Sequence, residues 1–313
     1  MKGLELSRAY WETYGVPMIR EQFPDYEEII AAGLTGSGSE CYGFDDEISR
    51  DHDFEPGFCL FLPGEDVVDR RTAFLLERAY AKLPAEFEGF RRQKMGPAGG
   101  PRHGVFRLDD YFTEKIGCPP DRMTLDRWLK IPEYALAEAV NGEVFRDDAG
   151  LLTDDRDMLR NMPEDVRRKR LAGRLLLMAQ SGQYNYRRCL LHGESGAAQL
   201  AVGEFVRSTL SAYFLLNRSY MPYYKWSFRA LRGLPGGEDL ARSLEWLLTT
   251  GNEKDLAEDK YFCIEGIASQ IIDLLQEQGL TEAVCGDLEK HAYSVNDGIR
   301  DGDIRNLHVL YCV

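Results

Sequence analysis

No run of apolar residues in the 313-residue chain approaches the length of a membrane-spanning helix, and its first residues lack a basic segment followed by an apolar stretch and a cleavage site. A cytoplasmic protein with no membrane partner is expected. Positive charge is also scarce, since 38 Lys and Arg stand against 52 Asp and Glu for a net charge of -14. That shortage argues against a long nucleic-acid track, which needs a basic surface to neutralise phosphates. A single nucleotide survives it, because a bound cation and a few local Lys or Arg residues set the field around its phosphates. Seven cysteines, at 41, 59, 118, 189, 263, 285 and 312, include no CxxC pair, so buried reduced thiols are expected rather than disulfides or a zinc site. A GxxxxGK[ST] loop, a GxGxxG after a strand and a GxSxG elbow are all missing.

What is there suits two packed cores. The length exceeds that at which one core stops growing, and 44% hydrophobic with 11% aromatic residues supply the material. The front reads as a mixture of helix and strand. A helix is expected over 19–32 with Pro24 near its start, a first strand near 31–35, and a buried strand within 52–62 from the run Phe58 to Leu62. Apolar spacing then predicts a helix over 64–82 with an acidic first turn, a Gly-, Pro- and Arg-rich loop over 91–102 able to cover a ligand, and a third strand over 103–108. From Leu125 the strand signals fade. Amphipathic stretches near 164–182, 195–217, 222–232, 237–249 and 265–279 predict a helical bundle, with GLPGG at 233–237 as punctuation. From about residue 281 a terminal helix and tail are expected, with no functional reading.

The segment from Gly36 to Asp53, GSGSECYGFDDEISRDHD, holds the chemistry. Gly36 and Gly38 can take positive φ, and Ser37 and Ser39 add hydroxyls to backbone N–H groups converging on an anion. Asp51 and Asp53 alternate with His52, so in an extended strand both carboxylates project to one face and can grip a divalent cation. Mg2+ favours such oxygen ligands, completed by phosphate and water. The competing reading is a glycine-rich loop followed by a solvated charged turn.

This layout resembles the signature of the nucleotidyltransferase superfamily, which includes DNA polymerase β and the aminoglycoside nucleotidyltransferases: Gly-Ser, a spacer, then acid, any residue, acid. More closely, GSGSECYGFDDEISRDHDF, GEVFRDDAGLLTDDRDML, SGQYNYRRC and LLNRSYMPYYKW resemble an uncharacterised bacterial family within or beside it, over roughly residues 20–235. The resemblance implies an α+β protein, with a small mixed-sheet nucleotidyltransferase-like domain over 1–124 and an all-α helical bundle over 125–313. It implies transfer of a nucleoside monophosphate from an NTP, ATP among them, to a small-molecule or protein acceptor, with Mg2+ or Mn2+ held by Asp51 and Asp53.

The superfamily's third carboxylate has no clear counterpart. The strand candidate HGVFRLDDYF carries acids only at its end, where Asp109 shares parity with Val105 and Arg107 and competes with a helix-cap role. Glu143 is a second candidate base, against a solvated loop acid. Lys225 with Tyr224, in PYYKW, offers a phosphate contact and a stacking surface by analogy with the aminoglycoside enzymes, against a lysine snorkelling over packed aromatics. Arg187, Arg188 and Arg218 are further options, each otherwise a surface ion-pair residue. His52-Asp53 also looks like the pair of His-Asp phosphohydrolases, but His103, His192, His291 and His308 lack supporting spacing. The alternative function is a catalytically impaired nucleotide-binding or interaction protein of the same fold.

Overall fold

The computed structural model describes residues 1–48, 54–92 and 102–313. Asp51 and Asp53, and most of the loop expected to cover a ligand, lie outside the described residues. The chain is α+β, and compact packing divides it into two units: residues 1–123 with 135–161, and residues 124–134 with 162–313.

The first unit is built on a four-stranded mixed sheet. Helices α1 (Gly3–Tyr10) and α2 (Val16–Gln22) are joined by a π-helical turn and lead to β1 (Ala31–Leu34). The sequence expectation of a helix over 19–32 fails here because Phe23 leaves helical geometry ahead of Pro24. Next come β2 (Cys59–Leu62), α3 (Arg70–Ala81), and a short hairpin of β3 (Glu86–Phe87) with β4 (Phe90–Arg91). The unit closes with β5 (Gly104–Arg107), α4 (Leu108–Ile116), α6 (Glu133–Val140), β6 (Glu143–Arg146) and α7 (Leu151–Arg160), while α5 (Leu125–Lys130) belongs to the second unit.

Strand order is β5-β2-β1-β6, with β2 and β5 parallel and the other pairs antiparallel. The continuous apolar run of β2 is explained by cover on both faces. Phe58, Leu60 and Leu62 pack with Tyr10, Trp11, Ile19 and Leu76 in one core. On the opposite face Phe61 meets the Tyr111 ring of α4 at 5.0 Å, edge on. Strand β6 had no counterpart in the sequence pattern.

The second unit is helical: α5, then α8 (Glu164–Met178), α9 (Tyr186–Leu191), α10 (Ser195–Leu216), α11 (Tyr224–Leu231), α12 (Gly237–Thr249), α13 (Lys254–Glu277), α14 (Leu288–Asp297) and α15 (Gly302–Asn306). Leu171, Leu175, Val202, Phe205, Leu244, Leu247, Ile264, Ile271 and Val295 belong to one core. Among the described residues no helix is long and apolar enough to cross a membrane, and the seven cysteines are free.

Candidate functional site

The turn Gly36–Ser39 leaves the end of β1 and opens on a cleft of about 200 Å³, lined among others by Glu40, Cys41, Arg102, Tyr111 and Lys115. Its entry is fixed from behind. Asn141 Oδ1 accepts from the Gly36 N–H at 2.9 Å, and Asn141 Nδ2 donates to the Gly36 carbonyl at 2.7 Å. The Thr35 hydroxyl sits between the Glu138 carbonyl and Asn141 Oδ1, at 3.1 and 3.0 Å, and accepts from the Tyr111 hydroxyl at 3.2 Å. Asn141 is held in turn by Arg156, a buried residue whose guanidinium donates to the Val140 carbonyl at 2.8 Å and to that of Asn141.

Gly36 has φ +130, a conformation side chains rarely adopt, which matches the expectation for it. Gly38 does not take positive φ. An added Cβ there would stand 1.9 Å from Glu40 Oε1, so a side chain at this position would displace the Glu40 carboxylate from the turn.

The Gly36 amide is therefore spent on Asn141 and is no anion donor. The Gly38 N–H is spent on the Cys41 sulfur, whereas among the described residues the amides of Ser37 and Ser39 have no hydrogen-bond partner. One cation stands nearby, because Lys115 Nζ would lie 4.0 Å from a Cβ at Gly36. The lysine's own carboxylate, on Glu138, is at a distant 3.9 Å. Glu40 adds the opposite charge. It is buried against the turn at 8% exposure, with its carboxylate beside Gly38. Such a group opposes a bare phosphate and favours one that arrives with a cation. The thiols of Cys41 and Cys59 are pushed up by burial, that of Cys59 to about 12, so neither is a thiolate nucleophile.

The other expected residues are placed differently. The strand parity that nominated Asp109 does not hold, because β5 ends at Arg107 and Asp109 is exposed in the first turn of α4. It is not the cap either, which is Arg107. No residue of β5 is acidic. Glu143 begins β6 opposite Leu34 and pairs with Arg8. Tyr224 and Lys225 stand on the second unit at the start of α11, where Lys225 Nζ lies 5.1 Å from the centre of the Trp226 ring and the 73%-exposed Tyr224 packs on Tyr223 at 4.5 Å. Arg187 lies over the Tyr261 ring, Arg188 bonds the Tyr184 hydroxyl, and Arg218 pairs with Glu164. Among the described residues no group of three or more His, Cys, Asp or Glu side chains is set to hold a metal.

Sequence reasoning passed over Asn141, Lys115 and Glu40. The Asn141-Gly142 pair ahead of Glu143 is a turn signal of the kind that precedes a strand. Nothing in the local sequence singles out Lys115, which the helix α4 brings to the turn.

Fold and site thus define an α+β protein in which a Gly-Ser turn at a strand end opens on a small cleft holding both signs of charge. The profile of a domain of unknown function, DUF4037, matches residues 128–227, less than half of the chain. A nucleotidyltransferase-like protein from Exiguobacterium sibiricum 255-15, known as a crystal structure, is 14% identical. That match covers 92% of this chain and 81% of that chain at a TM-score of 0.37, a likeness too slight to carry an argument. No curated protein matches.

Proposed function

We propose that the protein binds a nucleoside triphosphate at the Gly36–Ser39 turn and moves its nucleoside monophosphate to a small-molecule or protein acceptor. An acceptor hydroxyl attacks the α-phosphorus, its proton leaves to solvent or a base, and pyrophosphate departs. The observation that carries this reading is the turn itself, whose amides of Ser37 and Ser39 are unpartnered among the described residues while Lys115 stands beside Gly36. Unpaired amides and an ammonium are what a triphosphate needs. Negative charge spreads over the transferring group, so fixed donors at the turn stabilise it without reorganisation.

Asp51 and Asp53 are the ligands for Mg2+ or Mn2+ in this reading, and Glu40 supplies the third carboxylate that β5 lacks. Its carboxylate, set against the turn, is the kind of oxygen donor such a cation takes. When bound, the cation would neutralise phosphate charge. Calorimetry with ATP, GTP, CTP and UTP in Mg2+ is expected to show binding by one or more. That binding is expected to weaken at least tenfold in the double variant Asp51→Asn, Asp53→Asn and in Glu40→Gln, and unchanged affinity in the double variant would sink the proposal. The absence of an acid on β5 also supports a second reading, a binding protein without transfer. Incubation with α-labelled NTPs and candidate acceptors separates the two, because only the enzyme moves label.

A further inference from the structure

The second unit carries a group of arginines that its packing does not satisfy. A cleft of about 460 Å³ beside α5, α8 and α10 is walled by Arg170, Arg174, Arg207, Lys130, Glu133 and Tyr134 among others. Arg170 is 3% exposed. Its Nη2 donates to the carbonyls of Trp128, at 2.6 Å, and Ile131, which ties α8 to the end of α5, but its Nε is buried with no partner.

Arg174, one turn further along α8, is satisfied still less. Its side chain is 15% exposed and donates no hydrogen bond among the described residues, its Nε is buried and orphaned, and its nearest carboxylate, on Glu133, is 3.9 Å away. Glu133 cannot come to it freely. That carboxylate already accepts from the Ser211 hydroxyl and, at 3.4 Å, from the Met221 N–H. Arg207 and Lys130 have helical partners of their own, Glu204 at 3.3 Å and Asp126 at 2.8 Å. Burial pulls the Arg174 pKa down, Glu133 opposes this, and the charges of Arg207 and Arg170 add to the fall, so the three guanidiniums share one field.

Buried guanidinium donors without acceptors are costly, and packing alone gives no reason to keep two of them on one wall. A planar fork of N–H donors is suited to a bidentate oxyanion. We propose that this cleft is a binding site for a phosphate monoester of a small molecule, gripped by Arg174 and Arg170 with Arg207 at the rim. Tyr134, 43% exposed at the same wall and edge on to Tyr223 at 5.8 Å, offers a ring face to the rest of the ligand. The volume admits a molecule of nucleoside-monophosphate size. This site is independent of the Gly36–Ser39 turn.

The test is calorimetric titration of the full chain with AMP, with inorganic phosphate and with citrate at low salt. AMP and phosphate are expected to bind, and Arg174→Gln to weaken both at least tenfold. Asp51→Asn with Asp53→Asn is expected to leave the phosphate affinity unchanged, which separates this site from the one proposed above. Because Arg174 donates no hydrogen bond among the described residues and its ion pair with Glu133 is long at 3.9 Å, Arg174→Gln is expected to melt no lower than wild type. Should it fail to fold, phenylglyoxal labelling of wild type read by mass spectrometry replaces it, with AMP expected to protect Arg174. No binding of phosphate, stronger binding of citrate, unaltered affinity in Arg174→Gln, or labelling of Arg174 indifferent to AMP would each overturn the proposal.

Discussion

Asn141 does for the turn what a longer strand would otherwise do. Its amide satisfies both backbone groups of Gly36, where the chain has left the β1 ladder and has no strand partner for them. Arg156 then fixes Asn141 from α7, so the geometry of the cleft depends on a residue far along the sequence. One position further back on α7, a second group is set by its neighbours at a cost. Asp155 is half-buried, and burial first, then Asp109, Asp121, Asp154 and Asp147, push its carboxyl up to about 6 from 3.8. The folded state therefore holds this proton more tightly than the unfolded chain, so the contribution is favourable below about pH 4 and is lost as pH rises through 6. Asp155→Asn is expected to stabilise the protein by about 1 kcal/mol at pH 8, after discounting for solvent screening, and by nearly nothing at pH 4. Urea midpoints at the two pH values measure this, and an equal gain at both would contradict it.

At the scale of elements, the sheet is held together by missing side chains as much as by present ones. A Cβ at Gly142, where φ is +69, would stand 1.9 Å from the Leu34 carbonyl oxygen, and one at Gly33 would stand 2.6 Å from that of Glu143. Gly142→Ala is thus expected to cost more than about 2 kcal/mol, from both backbone strain and collision. Gly203→Ala, on α10 where nothing lies within 4 Å of the added carbon, is expected to gain about 0.5–1 kcal/mol from helix propensity. Guanidinium denaturation of the two variants compares them, and a mild effect at Gly142 would show that β6 can shift. The same elements explain what the sequence made legible. Helices with a sustained apolar stripe were readable, as at Ser195–Leu216 and Gly237–Thr249, because their period is written over several turns. The π-helical turn Ala179–Asn185, which continues α8, leaves no comparable mark. Nor does β6, four residues whose partner β1 is more than a hundred positions earlier. Of the site, the Gly-Ser turn could be read because its residue types are specific, whereas Glu40 and Lys115 gain their meaning only from what folding places beside them.

For the whole molecule, the decisive property is that the first unit is discontinuous in sequence. Residues 124–134 pass to the second unit and residues 135–161 return to the first, bringing β6, Asn141 and Arg156. Without them β1 becomes an unpaired edge of three strands, Gly36 loses its donor and acceptor, and the apolar run Ala31–Leu34 is left as a template for aggregation. A fragment of residues 1–124 is therefore expected to be insoluble or to lose structure without a cooperative transition. A fragment of residues 1–161 is expected to melt cooperatively, since every strand of the sheet and both residues that hold the turn are present. Circular dichroism followed against temperature compares them. A sharp transition in the shorter fragment would mean that β5, β2 and β1 suffice, and that the returning segment serves the cleft rather than the fold.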